Sequence, residues 1–204
     1  MPAQVGTQLR SDARDNRARI LAVARAAFAV DGIEVPIREI ARRAEVGVAT
    51  VYRHFPTKEA LLAEAFAEQM ASCAAIVAEG AAADDPWHGF CLVIERLMAV
   101  HALDRGFARA FTAGLPAEFA AAHDRTLHLL ADLVRRAKET GSLRRDFVLE
   151  DVSLALMANE GIRAETPGMR AAASRRFAAL MIRSFQADPV LAPLPPAVRL
   201  PLRR

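Results

Sequence analysis

Between Val46 and Leu62 the chain reads VGVATVYRHFPTKEALL, which gathers Thr50, Tyr52, Arg53, His54 and Lys58 into a short stretch of donors and cations. No catalytic arrangement accompanies them, so the chemistry they offer is recognition. An arginine can bond in bidentate fashion to the O6 and N7 edge of guanine. Hydroxyl, ring N–H and ammonium donors serve phosphate oxygens or bases. A merely solvated helix face would instead favour Lys, Glu and Gln. At about 100° per residue, Val51 and Phe55 share an inward face, while Ala49 and Arg53 point outward with Thr50 and Tyr52 on the flanks. His54 follows Thr50 by one turn. The small Ala49 lets backbone approach a groove, and Lys58 stands where free N–H groups of a new helix also point at phosphate.

Such a reading helix must be held by others. The pattern predicts a first helix from about Asp12 or Asp15 to Val30, with Ile20, Leu21, Ala24, Ala27 and Phe28 on one stripe, stopped at Asp31-Gly32. Pro36 opens a second as its first helical residue, with Ile37, Ile40, Ala41 and Ala44 inward. Glu45-Val46-Gly47 is a tight turn, the third helix covers Val48 to Phe55, and Thr57 caps a fourth that runs unbroken to Glu79. Further helices are expected over Trp87–Ala102, Phe107–Ala113, Pro116–Thr140 (with Gly141 as its C-cap), Asp146–Arg163 and Met169–Phe185. The fold class is all-α with about nine helices. Residues 1–11 form a flexible arm, 12–57 a helix-turn-helix DNA-binding domain, 58–187 a helical effector-binding and dimerisation domain, and 188–204 an irregular Pro- and Leu-rich tail. Arg10, Arg14, Arg17 and Arg19 suit either a phosphate-binding arm or a solvated surface.

The segment resembles the TetR family of transcriptional regulators through Ile40-Ala41, Ala44, Val46, Thr50, Val51-Tyr52, His54-Phe55, Lys58-Glu59 and Leu61. The resemblance covers roughly residues 15 to 62; beyond them only the number and order of helices look similar. By position it implies that Arg38, Val48, Ala49, Thr50, Tyr52, Arg53, His54 and Lys58 face the operator. Two departures stand out: Gly47 replaces a common capping Ser, and Glu45 replaces a common Gly. The resemblance also implies a homodimer through Asp146–Arg163 and Met169–Phe185. Leu154, Met157 and Ala158 in the first helix, and Ala173, Phe177, Leu180, Met181 and Phe185 in the second, supply the apolar stripes.

A helical apolar body invites a ligand pocket. Its candidate lining is Phe66, Met70, Trp87, Phe90, Met98, His101, Phe107, Phe111 and Met157, with His101 as the polar anchor, although any one of them taken alone reads as core more readily than as pocket. Asn159-Glu160-Gly161 turns towards either a ligand or a partner subunit.

Charge and composition narrow the class. Residues 1–58 carry 10 Lys+Arg against 6 Asp+Glu and the remainder 17 against 18, so the excess positive charge lies in the N-terminal unit, a balance that suits a phosphate-binding head and a solvated surface equally. The N-terminus lacks the apolar core of a signal peptide, and charged residues or His interrupt every apolar run before a membrane-spanning length. Cys73 and Cys91 read as reduced, buried thiols of a cytoplasmic protein. His123 and His128 lack metal-ligand spacing, and no nucleophile elbow or Gly-rich phosphate loop occurs, so neither enzyme chemistry nor a cofactor is expected. The favoured reading is a ligand-responsive repressor, a homodimer on a palindromic double-stranded operator, released by a small apolar or amphipathic effector. An effector-independent regulator and a carrier or enzyme with a vestigial helix-turn-helix are the rivals.

Overall fold

The computed structural model describes residues 3–104, 106–108 and 120–188. Among these lie nine helices: α1 (Ala3–Asp31), α2 (Ile37–Arg43), α3 (Val48–His54), α4 (Lys58–Ala65), α5 (Ala67–Ala81), α6 (Pro86–Leu103), α7 (Ala120–Glu139), α8 (Leu149–Glu160) and α9 (Pro167–Phe185). No strand is formed among the described residues beyond one isolated antiparallel bridge between Leu143 and Gln186.

Helix α1 begins at Ala3, so residues 3–11, expected as an arm, continue the helix. Ala, Gln, Leu and Arg there are good helix formers, and Gly6 is a small penalty. At the other end Gly32 takes φ +83 and stops it. Ile20, Ala24, Ala27 and Phe28 are almost wholly buried against Ile40, Val51 and Phe55, which makes one core for α1, α2 and α3. Pro36 is the N-cap of α2 rather than its first residue.

The turn from α2 to α3 closes by a 6→1 bond from Val46 N to the Ala41 carbonyl (3.0 Å) and a 5→2 bond from Glu45 N to that of Arg42 (3.2 Å). That pair of bonds is the Schellman stop, and it forces the intervening residue into the left-handed region. Glu45 accordingly has φ 54. Gly47 opens α3 with no side-chain cap, whereas the Thr57 hydroxyl oxygen accepts from Ala60 N (3.0 Å) at the start of α4.

The fourth helix does not run on to Glu79. It breaks at Phe66 (φ −113, ψ 10), and α4 and α5 are bent by 51°. Neither Gly nor Pro stands there. Instead the buried Phe66 ring lies between Phe28 and Phe107, with 5.9 Å to each centroid, and Arg25 Nε donates to the Ala65 carbonyl (2.7 Å) at the broken end. Tertiary packing therefore overrides a sequence that is locally helical throughout.

In the body, α6 is buried along most of its circumference by Phe90, Val93, Ile94, Leu97 and Met98, with α5, α7, α8 and α9 around it. Gly80 and Gly89 let α5 and α6 cross so closely that a Cβ on either would collide with the other's backbone. Arg136 fastens α7 to the end of α5, donating to the Ala81 (2.7 Å) and Ala83 (2.9 Å) carbonyls. Helix α8 is shorter than Asp146–Arg163. Asp146 is bonded to Arg144 (2.6 Å), and the cap falls at Val148, whose N–H donates to Asp151 (2.9 Å). Among the described residues no single helix is long and apolar enough to cross a membrane.

Because an L-residue in the left-handed region costs about 1–2 kcal/mol, Glu45→Gly should raise the unfolding free energy by about 1 kcal/mol. A urea titration reads this, and an unchanged midpoint would contradict the strain.

Candidate nucleic-acid interface

Val51 and Phe55 are buried at 0% and 1% exposure and fix the roll of α3 about its axis. The Arg17 guanidinium lies over the Phe55 ring (5.3 Å) and pairs with Glu64, tying α1 to α4 beneath the reading helix. Arg19 bonds Asn16 (2.6 Å). These two arginines thus have intramolecular partners, while the side chains of Arg10 and Arg14 lie outside the described residues.

With that face fixed, the opposite one is set. Val48, Ala49, Tyr52 and Arg53 are exposed, Thr50 and His54 half-buried. Arg38, early in α2, is exposed. Lys58, the first residue of α4, is half-buried and pairs at 3.9 Å with Glu34. Glu34 is 93% exposed, and so open a pair is worth under about 1 kcal/mol; Lys58 can exchange it for phosphate at little cost. Arg42 and Arg43 are committed differently. Both bond Glu39 at 2.7 Å, Arg43 also reaches Asp31 at 2.6 Å, and hydrogen bonds from Arg42 and then Arg43 pull the Glu39 carboxyl down to about 2. Among the described residues Arg38 and Arg53 are held by no such network. The eight residues expected to face a duplex come from three helices, α2, α3 and α4, standing on one shared core.

A second site lies in the body, a cavity of about 590 Å³ between α5, α6, α7 and α8. Helix α5 contributes Met70, Cys73, Ala74 and Val77, and α6 contributes Leu97 and His101. Of the residues expected to line a pocket, Met70 and His101 do so. Phe66 and Phe107 are core beside it, Phe107 edge-on to the His101 ring (5.2 Å). Trp87 and Phe90 sit near the other end of α6, in an aromatic cluster where Phe90 meets Phe147 at 5.3 Å and Phe147 meets Phe185 at 4.9 Å. Met98 is buried, its carbonyl accepting from Asn159 (2.9 Å) and Ser174 (3.2 Å), so Asn159 braces the core. Met157 faces outward, 54% exposed. Phe111 lies outside the described residues.

The rest of the wall comes from Ala120, His123, Asp124, Thr126, Leu127 and Leu130 of α7, and from Leu149, Glu150, Val152, Ser153 and Leu156 of α8. Their helical spacing is plain in the sequence. That the facing helices leave a gap over them is not, because a gap depends on how four helices splay. Cys73 in the wall is a poor nucleophile, since burial pushes its thiol up to about 11. Among the described residues no cluster of three or more His, Cys, Asp or Glu is placed to hold a metal ion.

Residues 20–65 match the family described as bacterial regulatory proteins, tetR family, and residues 85–184 match the C-terminal domain of SbtR-like transcriptional regulators. A TetR transcriptional regulator from Streptomyces coelicolor is 27% identical over 83% of this chain and 98% of its own, with a TM-score of 0.51. A tetR-family regulatory protein from Rhodococcus is 23% identical over 83% and 96%, with a TM-score of 0.64. The regulator FadR from Bacillus subtilis, solved in complex with stearoyl-CoA, is 17% identical over 81% and 97%, with a TM-score of 0.55. No curated protein matches the sequence.

His101 gives the body a titration signature. Burial lowers its pKa to about 4, with Asp104 opposing. A folded-state value below the unfolded one means that the unfolded chain binds the proton first, so stability is present above about 6.5 and lost as pH falls towards 4. Between pH 7 and pH 5 the loss from this group should be about 2 kcal/mol. Urea titrations at both pH values check it; His101→Gln should flatten the difference, and an equally steep variant would assign the slope elsewhere.

Proposed function

Because the chain belongs to the TetR family and is therefore a DNA-binding transcriptional regulator, we propose that it is a cytoplasmic, non-enzymatic repressor that binds a palindromic operator as a homodimer and is released by a small apolar or amphipathic effector. The carrying observation is the outward face of α3, set by the buried Val51 and Phe55 and flanked by Arg38 and Lys58. Arg53 reads a guanine edge in the major groove. Tyr52, Thr50, His54, Lys58 and Arg38 bond phosphates or neighbouring bases, and Val48 and Ala49 pack against the groove wall.

A single seven-residue helix covers only a half-site, so two-fold operators demand two subunits. Helices α8 and α9 supply the interface. Leu154 is 65% exposed, Met157 54% and Leu180 40%, with Ala158 exposed and Phe177 and Met181 half-buried beside them. Ala173 and Phe185, expected on this stripe, are buried within the subunit.

The effector occupies the cavity. Its α5 wall joins, across the Phe66 break, the helix that starts at Lys58. Two straps hold the junction: Arg25 on the Ala65 carbonyl, and Gln69 Nε2 donating to Asp104 (2.9 Å). A ligand that displaces Met70 and Cys73 pulls on both and turns α4, so the spacing of the two reading helices no longer fits the half-sites. A coupling of about 1–3 kcal/mol changes occupancy several-fold or more. The stearoyl-CoA held by the Bacillus subtilis neighbour is in keeping with an effector in this fold.

Fluorescence anisotropy on an operator selected from random DNA tests the head. Arg53→Ala should cost about 1–3 kcal/mol there and little on scrambled DNA, with binding that weakens steeply with salt. A flat salt response would remove the DNA assignment. In sedimentation, Leu154→Glu combined with Met157→Glu should give a monomer; a dimer of unchanged strength would place the interface elsewhere.

A further inference from the structure

The lining of the cavity specifies more than apolar character. We propose that the effector is cationic: an apolar chain or ring system carrying an amine or quaternary ammonium group, received by Asp124 of α7 and Glu150 of α8. This rests on the reading of the cavity as the effector site.

The argument is one of charge and position. The inner wall is apolar: Met70, Val77, Leu97, Leu130 and Leu156 among others. Asp124 and Glu150 line the same cavity and are exposed, so they stand where it meets solvent. Among the described lining residues none is Lys or Arg. The basic groups are His101, which burial keeps neutral, and His123. Even a protonated His123 leaves the lining with one negative charge in excess. Glu150 stands in the first turn of α8, where a carboxylate also suits the positive helix end, but the cap bond from Val148 N goes to Asp151, so the Glu150 carboxylate is not used as the cap. A carboxylate and an ammonium at the edge of an apolar cavity attract more strongly than in bulk water, while an anionic head would meet two like charges. A site of this kind takes the apolar part inside and leaves the charged head, still partly hydrated, at the acidic mouth.

Decylamine, 1-decanol and decanoate, titrated below their aggregation limits into the full-length protein by calorimetry at pH 7.5, test this with one chain and three heads. The amine should bind about tenfold or more tightly than decanoate, with the alcohol between them. The exposed double variant Asp124→Asn, Glu150→Gln should bring amine and decanoate to within about twofold without changing decanol binding. Decanoate binding as tightly as the amine, or a preference that survives the double variant, overturns the charge assignment. Leu127→Trp, a half-exposed wall position, separates this from failure of the effector reading. If decanol binds and releases operator but loses both effects in Leu127→Trp, the cavity is the effector site even where the charge assignment falls. If all three probes ignore Leu127→Trp, or none binds, both readings fall.

Discussion

The ring of Phe66 is the point on which the arrangement of this protein turns. It lies between Phe28 of the first helix and Phe107 beyond the sixth, so head and body share a core at this residue. Each such aromatic pair adds about 0.5–1.5 kcal/mol beyond its burial. With the Ala65 carbonyl claimed by Arg25, these contacts hold a fixed bend between α4 and α5, even though Phe66 N still bonds the Leu62 carbonyl (3.1 Å) and Met70 N that of Phe66 (3.0 Å). Gly106 closes the same corner from the other side, where a Cβ would sit 3.0 Å from Ala29 N. The chain beyond α6 is thereby pressed directly on the end of α1.

That junction separates two kinds of construction. Before it, the head is small and rigid: α1 to α3 enclose one set of buried apolar residues, and Arg17 seals it with Phe55 and Glu64. Rigidity suits a surface that must present donors in register with a duplex. Beyond it, α6 is tightly packed at its Gly80–Gly89 crossing and around Phe90, Phe147 and Phe185, yet α5, α7 and α8 leave 590 Å³ unfilled near the other end of α6. The void lies beside His101 and Met70, close to Phe66. A volume change there is therefore adjacent to the one bend that sets the direction of α4.

The head was legible in the sequence because its determinants are local. Helical periodicity placed Val51 and Phe55 inward, Gly32 ended α1 with a positive φ, and Thr57 capped α4. Glu45 is the instructive exception. The position was legible as one that favours Gly, but its φ of 54 follows from the two turn bonds around it. The pocket was legible only as a tendency. Trp87, Phe90 and Met98 are as apolar as Met70 and at equally good helical spacing, yet they are core, because neighbouring helices close over them.

By itself, then, the sequence determined where most of the helices lie and, in the head, which face of each is buried and which donors the reading helix exposes, since these depend on the 3.6-residue period and on capping chemistry within a turn or two. Tertiary structure alone decided the break at Phe66, the cavity, and the division of α9 into Leu180 outward and Phe185 inward. Each of these depends on the distance between helices far apart in the chain, and no local pattern encodes that distance.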